Sequence, residues 1–439
     1  LRILITALPG AAHVYPIVPL ASALQSAGHE VRVASAHRDA LDVAVAGGLT
    51  AVRSGHEEEV YADFGLERDD IARRLEALEL GRLTEEFARD ARDTELWESY
   101  RELLSVLTYY SPGPGRTATP AEYGLMVDDL VTFARSWQPD LVLWDPAMLA
   151  SPIAARACGA AHARYLWGPD YFTWTRNRLA ELTAAGRPTV KDPLTSLLEP
   201  LAERYGYTVD DEMLLGNWSV DLLPPAMRLP TGTLGVPVRR IPFTGASLLP
   251  DWLYEQPTRP RVALTLGVSN RVVFSDGEPL IPSLLEMVSG LDIEVIATLD
   301  QSQLAGKRLP ENVRAFDFVP LNQLLPTCSA VIHHGGGGTF AAAAAHQVPQ
   351  LIPFNDSGME AATTTRYLVE RGAGLILDAE GTDVDAMRKQ LIRVLEEPEF
   401  RAGAGRLHED YLAIPGPNEV VPTLEKLTMR HRRRDASAA

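Results

Sequence analysis

The stretch Ala330-Val-Ile-His-His-Gly-Gly-Gly-Gly-Thr-Phe340 limits what this chain can fold into more than any other. An apolar run of strand type passes into four glycines and then into an alanine-rich run of helix type. Bare backbone N–H groups at such a turn face the positive end of a helix dipole, where a phosphate or diphosphate binds. A second apolar strand, Gln350 to Phe354, follows and ends in Asn355, Asp356 and Ser357. Polar groups at two neighbouring strand ends can hold two parts of one ligand.

The glycines alone leave the ligand open. Gly336, Gly338 and Ala341 satisfy the G-x-G-x-x-G/A dinucleotide pattern, and Asp356 stands about twenty residues on, where that pattern wants an acid for the ribose. A purely structural use of the glycines, in tight strand-to-helix packing, is also open. Two observations weigh against a nicotinamide cofactor. His333 and His334 precede the glycines, and three strand-like runs come earlier in the same half, whereas the dinucleotide pattern follows the first strand of its unit.

Strand and helix patterns alternate along the chain in two sets. The first opens with Arg2 to Leu8, a helix pattern over Pro16 to Ala27 and the strand Glu30 to Ala36, and later holds Asp140 to Trp144 and His162 to Trp167 around a helix at Pro152 to Cys158. The second runs through Arg261–Gly267, 292–299, 313–319, 330–333, 350–354 and 374–377. Periodicity lapses between Thr244 and Pro260. The reading is an α/β protein of two doubly wound, Rossmann-like domains facing across a cleft: residues 1–244, a linker 245–260, a second domain 261–420, and a C-terminal helix and tail 421–439.

A net charge of −17 over 439 residues argues against nucleic acid or an anionic membrane as partner. The two cysteines, Cys158 and Cys328, have no Cys or His at metal-ligand spacing and suggest buried, reduced thiols in a cytoplasmic protein. No run has the length of a membrane span or of a signal sequence. No metal is expected. Glu57 to Leu107, dense in Glu, Asp and Arg, reads as inserted helices that cover the cleft, bind a partner or present a solvated face.

The loop after the first strand carries His13 just before a helix marked by Pro16. A histidine there titrates near neutral pH and suits general-base work on a hydroxyl. Asp145 ends the strand Leu141–Trp144, so the topology brings a carboxylate to the same sheet edge, where it can hold the imidazole; a helix cap before Pro146 is the other reading.

Several blocks in fixed order resemble one family. Val18-Pro-Leu-Ala21, Ala27-Gly-His-Glu-Val31, Met126-Val-Asp-Asp-Leu-Val131, Trp137-Gln-Pro-Asp-Leu-Val142, Ala160-Ala-His-Ala-Arg164 and Leu166-Trp-Gly168 are similar to antibiotic glycosyltransferases of the GT-B fold. Asn217-Trp-Ser-Val-Asp-Leu-Leu-Pro-Pro225, Val319-Pro320 and His333 to Thr339 extend the match, in particular toward macrolide aminosugar transferases of the desosaminyl and mycaminosyl type. The resemblance implies an inverting, metal-independent transfer of a deoxysugar, an aminosugar in that subgroup, from a TDP-sugar to a hydroxyl of a polyketide aglycone.

It implies His13 as base and Asp145 as its support. His334, Gly336, Gly337, Gly338 and Thr339 would bind the diphosphate, Val319 would pair by backbone with the nucleobase, and Asp356 and Ser357 would touch the sugar. Trp144, Trp167, Tyr171 and Phe172 are the candidate acceptor wall. A heme-free, cytochrome-like activator is an implied partner, and a homodimer is left open. The chain departs from the family's pattern in having four glycines where members have Gly-Gly-Ala-Gly, in lacking a glycine just before His13, and in having Asp356-Ser357 where many members have Asp-Gln; the last fits a donor with fewer hydroxyls. The other readings are a nucleotide-sugar epimerase of the same fold and an NAD-dependent oxidoreductase.

Overall fold

The computed structural model describes residues 1–55, 76, 78, 80–110, 120–187, 191–245, 248–267, 280–304, 306–353, 361–377 and 383–433. The chain gathers into two compact units. One comprises Leu1–Leu223, Arg228–Val238 and Pro415–Ala439, and the other Pro224–Met227 and Arg239–Ile414.

The first unit is built on seven parallel strands: β1 (Arg2–Thr6), β2 (Glu30–Ser35), β3 (Thr50–Arg53), β4 (Leu141–Trp144), β5 (Ala161–Leu166), β6 (Trp218–Asp221) and β7 (Gly235–Pro237). Their order is β3-β2-β1-β4-β5-β6-β7. Ile3, Leu4 and Ile5 are buried on both faces of β1, as an unbroken apolar run in a central parallel strand requires. β5 is equally buried although it carries Arg164. That guanidinium is satisfied by two 2.7 Å hydrogen bonds to Asp170 and one to the Leu215 carbonyl, which is what makes a buried charge tolerable.

The second unit holds six parallel strands: β8 (Arg261–Thr265), β9 (Glu294–Thr298), β10 (Val313–Ala315), β11 (Ala330–His333), β12 (Gln350–Pro353) and β13 (Gly374–Leu377). Their order is β10-β9-β8-β11-β12-β13. In each sheet the direction of winding reverses once, between β1 and β4 and between β8 and β11. Ligands of open α/β sheets bind at the carboxyl ends of the strands at that reversal.

The units divide the chain differently from the sequence reading. The second begins at Arg239, and the helix Pro417–His431 belongs to the first. Its apolar face, Val420, Val421, Leu424 and Leu427, is buried, and the helix packs on Ile17–Ser26 and β5. Glu425 meets His29 at 3.0 Å, and the N–H of Arg433 donates to the Gly159 carbonyl at 2.9 Å.

In the charge-rich stretch, residues 57–75, 77 and 79 lie outside the described residues. The helices Leu80–Phe87 and Ala91–Tyr110 bury Leu83, Phe87, Trp97, Tyr100 and Leu104, with the Phe87 and Trp97 rings stacked at 4.6 Å. One face of this stretch is therefore core. Among the described residues no helix is long and apolar enough to cross a membrane.

Candidate active site

His13 does not sit in an open loop. It lies in a four-residue helix, Ala11–Val14, and Pro16 caps the next helix, Ile17–Ser26. Asp145 directly follows β4, with its N–H donating to the Thr6 carbonyl of β1 at 3.0 Å. The two chain segments that leave the winding reversal thus bring His13 Nδ1 to 2.7 Å from Asp145 Oδ2.

The other oxygen of Asp145 accepts from the N–H of Ala147 at 2.9 Å and from Trp167 Nε1 at 3.3 Å. The carboxylate, 3% exposed, accepts, so Nδ1–H is the donor of this bond, and in the neutral ring it is Nε2 that carries the lone pair. Nε2 has no hydrogen-bond partner among the described residues, and the His13 side chain is 24% exposed. The Trp167 ring stands edge-on to the imidazole at 5.4 Å. This arrangement can accept a proton from a hydroxyl.

At the reversal in the second sheet, His333 is fully buried. Its Nε2–H donates to Gln350 Oε1 at 2.7 Å, while Nδ1 accepts from the Gly335 N–H at 3.1 Å. Burial, with His334 next to it, pushes its imidazole down to about 3, so it is neutral. It is a structural pin holding the turn; Gly335 takes the left-handed φ of +89° that this turn needs.

His334 lies pressed between two glycines. A Cβ on Gly267 would fall 2.3 Å from its Cε1, and one on Gly336 would fall 2.4 Å from its Nε2. Burial pushes His334 down to about 4, against a hydrogen bond with the Thr265 backbone that pushes it up. Gly336 then caps the helix Gly337–Ala345 without any side-chain hydrogen bond, leaving a first turn suited to an anion. Gly336, Gly337, Gly338 and Thr339 all fall on this turn.

The remaining candidates divide. Val319 is 2% exposed and packs with Leu253, Ile296 and Leu324, so only its backbone is available to a ligand. Trp144 is fully buried against the His162 ring, Tyr171 is 3% exposed, and Phe172 is 3% exposed with its ring edge-on to Tyr100. All three side chains are buried. Trp167 reaches the His13–Asp145 pair. Asp356 and Ser357 lie outside the described residues. Sequence reasoning missed Gly267, whose signal was the glycine closing the strand Arg261 to Gly267.

The chain is similar over residues 22–267 and 282–427 to the N-terminal and C-terminal domains of the family described as erythromycin biosynthesis protein CIII-like. The aclacinomycin-T 2-deoxy-L-fucose transferase of Streptomyces galilaeus is 42% identical, the match covering 99% of this chain and 97% of that one. The tylactone mycaminosyltransferase of Streptomyces fradiae is 40% identical over 98% and 93% of the two chains. Among solved structures, the glycosyltransferase VinC in complex with DTDP is 35% identical, with a TM-score of 0.77 over 98% of this chain and 100% of that one.

Proposed function

Because the chain belongs to the erythromycin biosynthesis protein CIII-like family of nucleotide-sugar-dependent glycosyltransferases, we propose that it moves a deoxysugar from a TDP-sugar to a hydroxyl of a polyketide-type aglycone, with inversion at the anomeric carbon. The observation that carries the reading is the imidazole of His13, fixed at Nδ1 by the buried Asp145 and open at Nε2. Nε2 takes the proton of the acceptor hydroxyl as its oxygen attacks the anomeric carbon from the side opposite the diphosphate. The bond from sugar to diphosphate breaks as the new glycosidic bond forms, and Asp145 stabilises the imidazolium. His334 and the helix start at Gly337 would serve the charge that grows on the departing diphosphate.

Metal independence is part of the proposal, since helix amides and a neutral imidazole can carry that stabilisation. A deoxyaminosugar is the proposed donor within the class: Ser357 replaces an amide that would hold sugar hydroxyls. The same resemblance supports a cytochrome-like activator as partner, tested by comparing the purified chain with and without the co-expressed protein. Two free cysteines agree with a cytoplasmic location.

The central experiment is product analysis with a panel of TDP-deoxysugars and aglycones. A glycoside of inverted anomeric configuration, formed at an undiminished rate with chelator present, is the expected result. Conversion of the sugar nucleotide without acceptor would point to an epimerase, and binding of NAD that TDP does not displace would point to an oxidoreductase.

A further inference from the structure

We propose that Arg240 is the cation that binds the donor diphosphate, completing the anion site at the start of the helix Gly337–Ala345. This rests on the donor-site reading above and adds a residue that belongs to none of the sequence motifs. A Cβ built on Gly338 would sit 3.4 Å from Arg240 Nη2, so the guanidinium lies beside the first helical turn. Among the described residues its Nη1 is buried without a hydrogen-bond partner, and no carboxylate pairs with it.

The backbone around Arg240 is tied down. Arg239 Nη1 donates to the Leu412 carbonyl at 3.1 Å, Asn322 Nδ2 donates to the Pro242 carbonyl at 3.3 Å, and Thr244 Oγ1 donates to Asn322. The neighbours of Arg240 on both sides are therefore anchored to the second unit.

Without an anion this placement is adverse twice over. An arginine cannot shed its charge, and it stands beside the positive end of a helix dipole. A buried N–H donor without an acceptor adds a desolvation cost. Both penalties become gains when a diphosphate lies between guanidinium and helix, because its oxygens accept from Nη1 and from first-turn amides together. The buried His334 ring packs against Gly336 at the same helix start. A cation fixed there before reaction also stabilises the diphosphate as it takes up the electrons of the broken glycosyl bond.

The test is calorimetric titration of the full chain with TDP and with thymidine, which lacks the diphosphate. Arg240→Gln should weaken TDP binding about 10- to 100-fold and leave thymidine binding within twofold. The ligand-free melting temperature should stay level or rise, because a repulsion has been removed. TDP affinity unchanged, or thymidine weakened as much as TDP, would overturn the assignment. If Arg240→Gln does not fold, Arg240→Met is measured instead; failure of both to fold would make Arg240 structural and likewise overturn it. His334→Ala separates the two layers. If it weakens TDP while Arg240→Gln does not, the donor site stands without Arg240; if neither does, the donor-site reading itself falls.

Discussion

Asp145 accepts from Ala147 and Trp167 at one oxygen and from His13 at the other. A side chain held from three directions orients its partner far better than a solvent-exposed carboxylate could. His13→Ala should therefore lower kcat about 10²- to 10⁴-fold while TDP affinity stays near wild type. Asp145→Asn should act through the same imidazole, so the double variant should lose much less than the product of the two single losses. Steady-state kinetics and a TDP titration check both expectations, and multiplicative losses would show two independent residues.

That His13 and Asp145 would meet was legible because each follows a recognisable strand. The part of Trp167 was not, because its bond to Asp145 depends on how the chain turns after β5. His333 and His334 add a pH dependence whose sign follows from their burial. Both are pushed down, to about 3 and about 4, from an ordinary value of 6.5. Their contribution to stability is full above about 6.5 and is lost as pH falls from there toward 4, an interval in which the unfolded chain takes up protons ahead of the folded one. The urea midpoint should fall between pH 7 and pH 5, and His334→Ala should make that fall shallower; an identical slope would refute it.

At the scale of elements, the same device occurs in both sheets: the segments leaving the two strands at the winding reversal converge. In the second unit these are the ends of β8 and β11, and they meet through Gly267, His334 and Gly336. Gly336→Ala should displace the imidazole, weaken TDP binding as much as His334→Ala does, and cost about 1–3 kcal/mol of stability through overpacking. Gly267→Ala should cost more, because its φ of +81° is unfavourable for any side chain. Thermal melts and TDP titrations of both variants decide.

The long apolar strands were plain in the sequence. β6 and β7 were not read as strands, since Trp218–Asp221 and Gly235–Pro237 are too short and too mixed to show a period. The run from Val313 to Val319 misled in the other direction. Only Val313–Ala315 pairs in the sheet, and Val319 leaves it to join an apolar cluster. Local pattern records which side chains want burial, and the surrounding packing decides how they obtain it.

Across the whole molecule, two doubly wound sheets were readable from alternating patterns, but the membership of the last helix was not. Nothing local in Pro417–His431 says which apolar surface it will cover. Removing residues 415–439 should expose β5 and the helix Ile17–Ser26 and strip the first unit of a cooperative melt, whereas Arg432→Ala, which breaks a half-buried pair with Asp140, should cost no more than about 1 kcal/mol. Calorimetric scans of the two variants compare them directly. The return of that helix also sets an order of events in the cell. Residues up to Val238 are made before Arg239 to Ile414, yet this part lacks a wall until Pro415 to Arg433 have emerged, by which time Arg239 to Ile414 are already free to fold. The earlier-made portion is thus finished after the later-made one, and part of its apolar surface stays bare until the helix Pro417–His431 has been made.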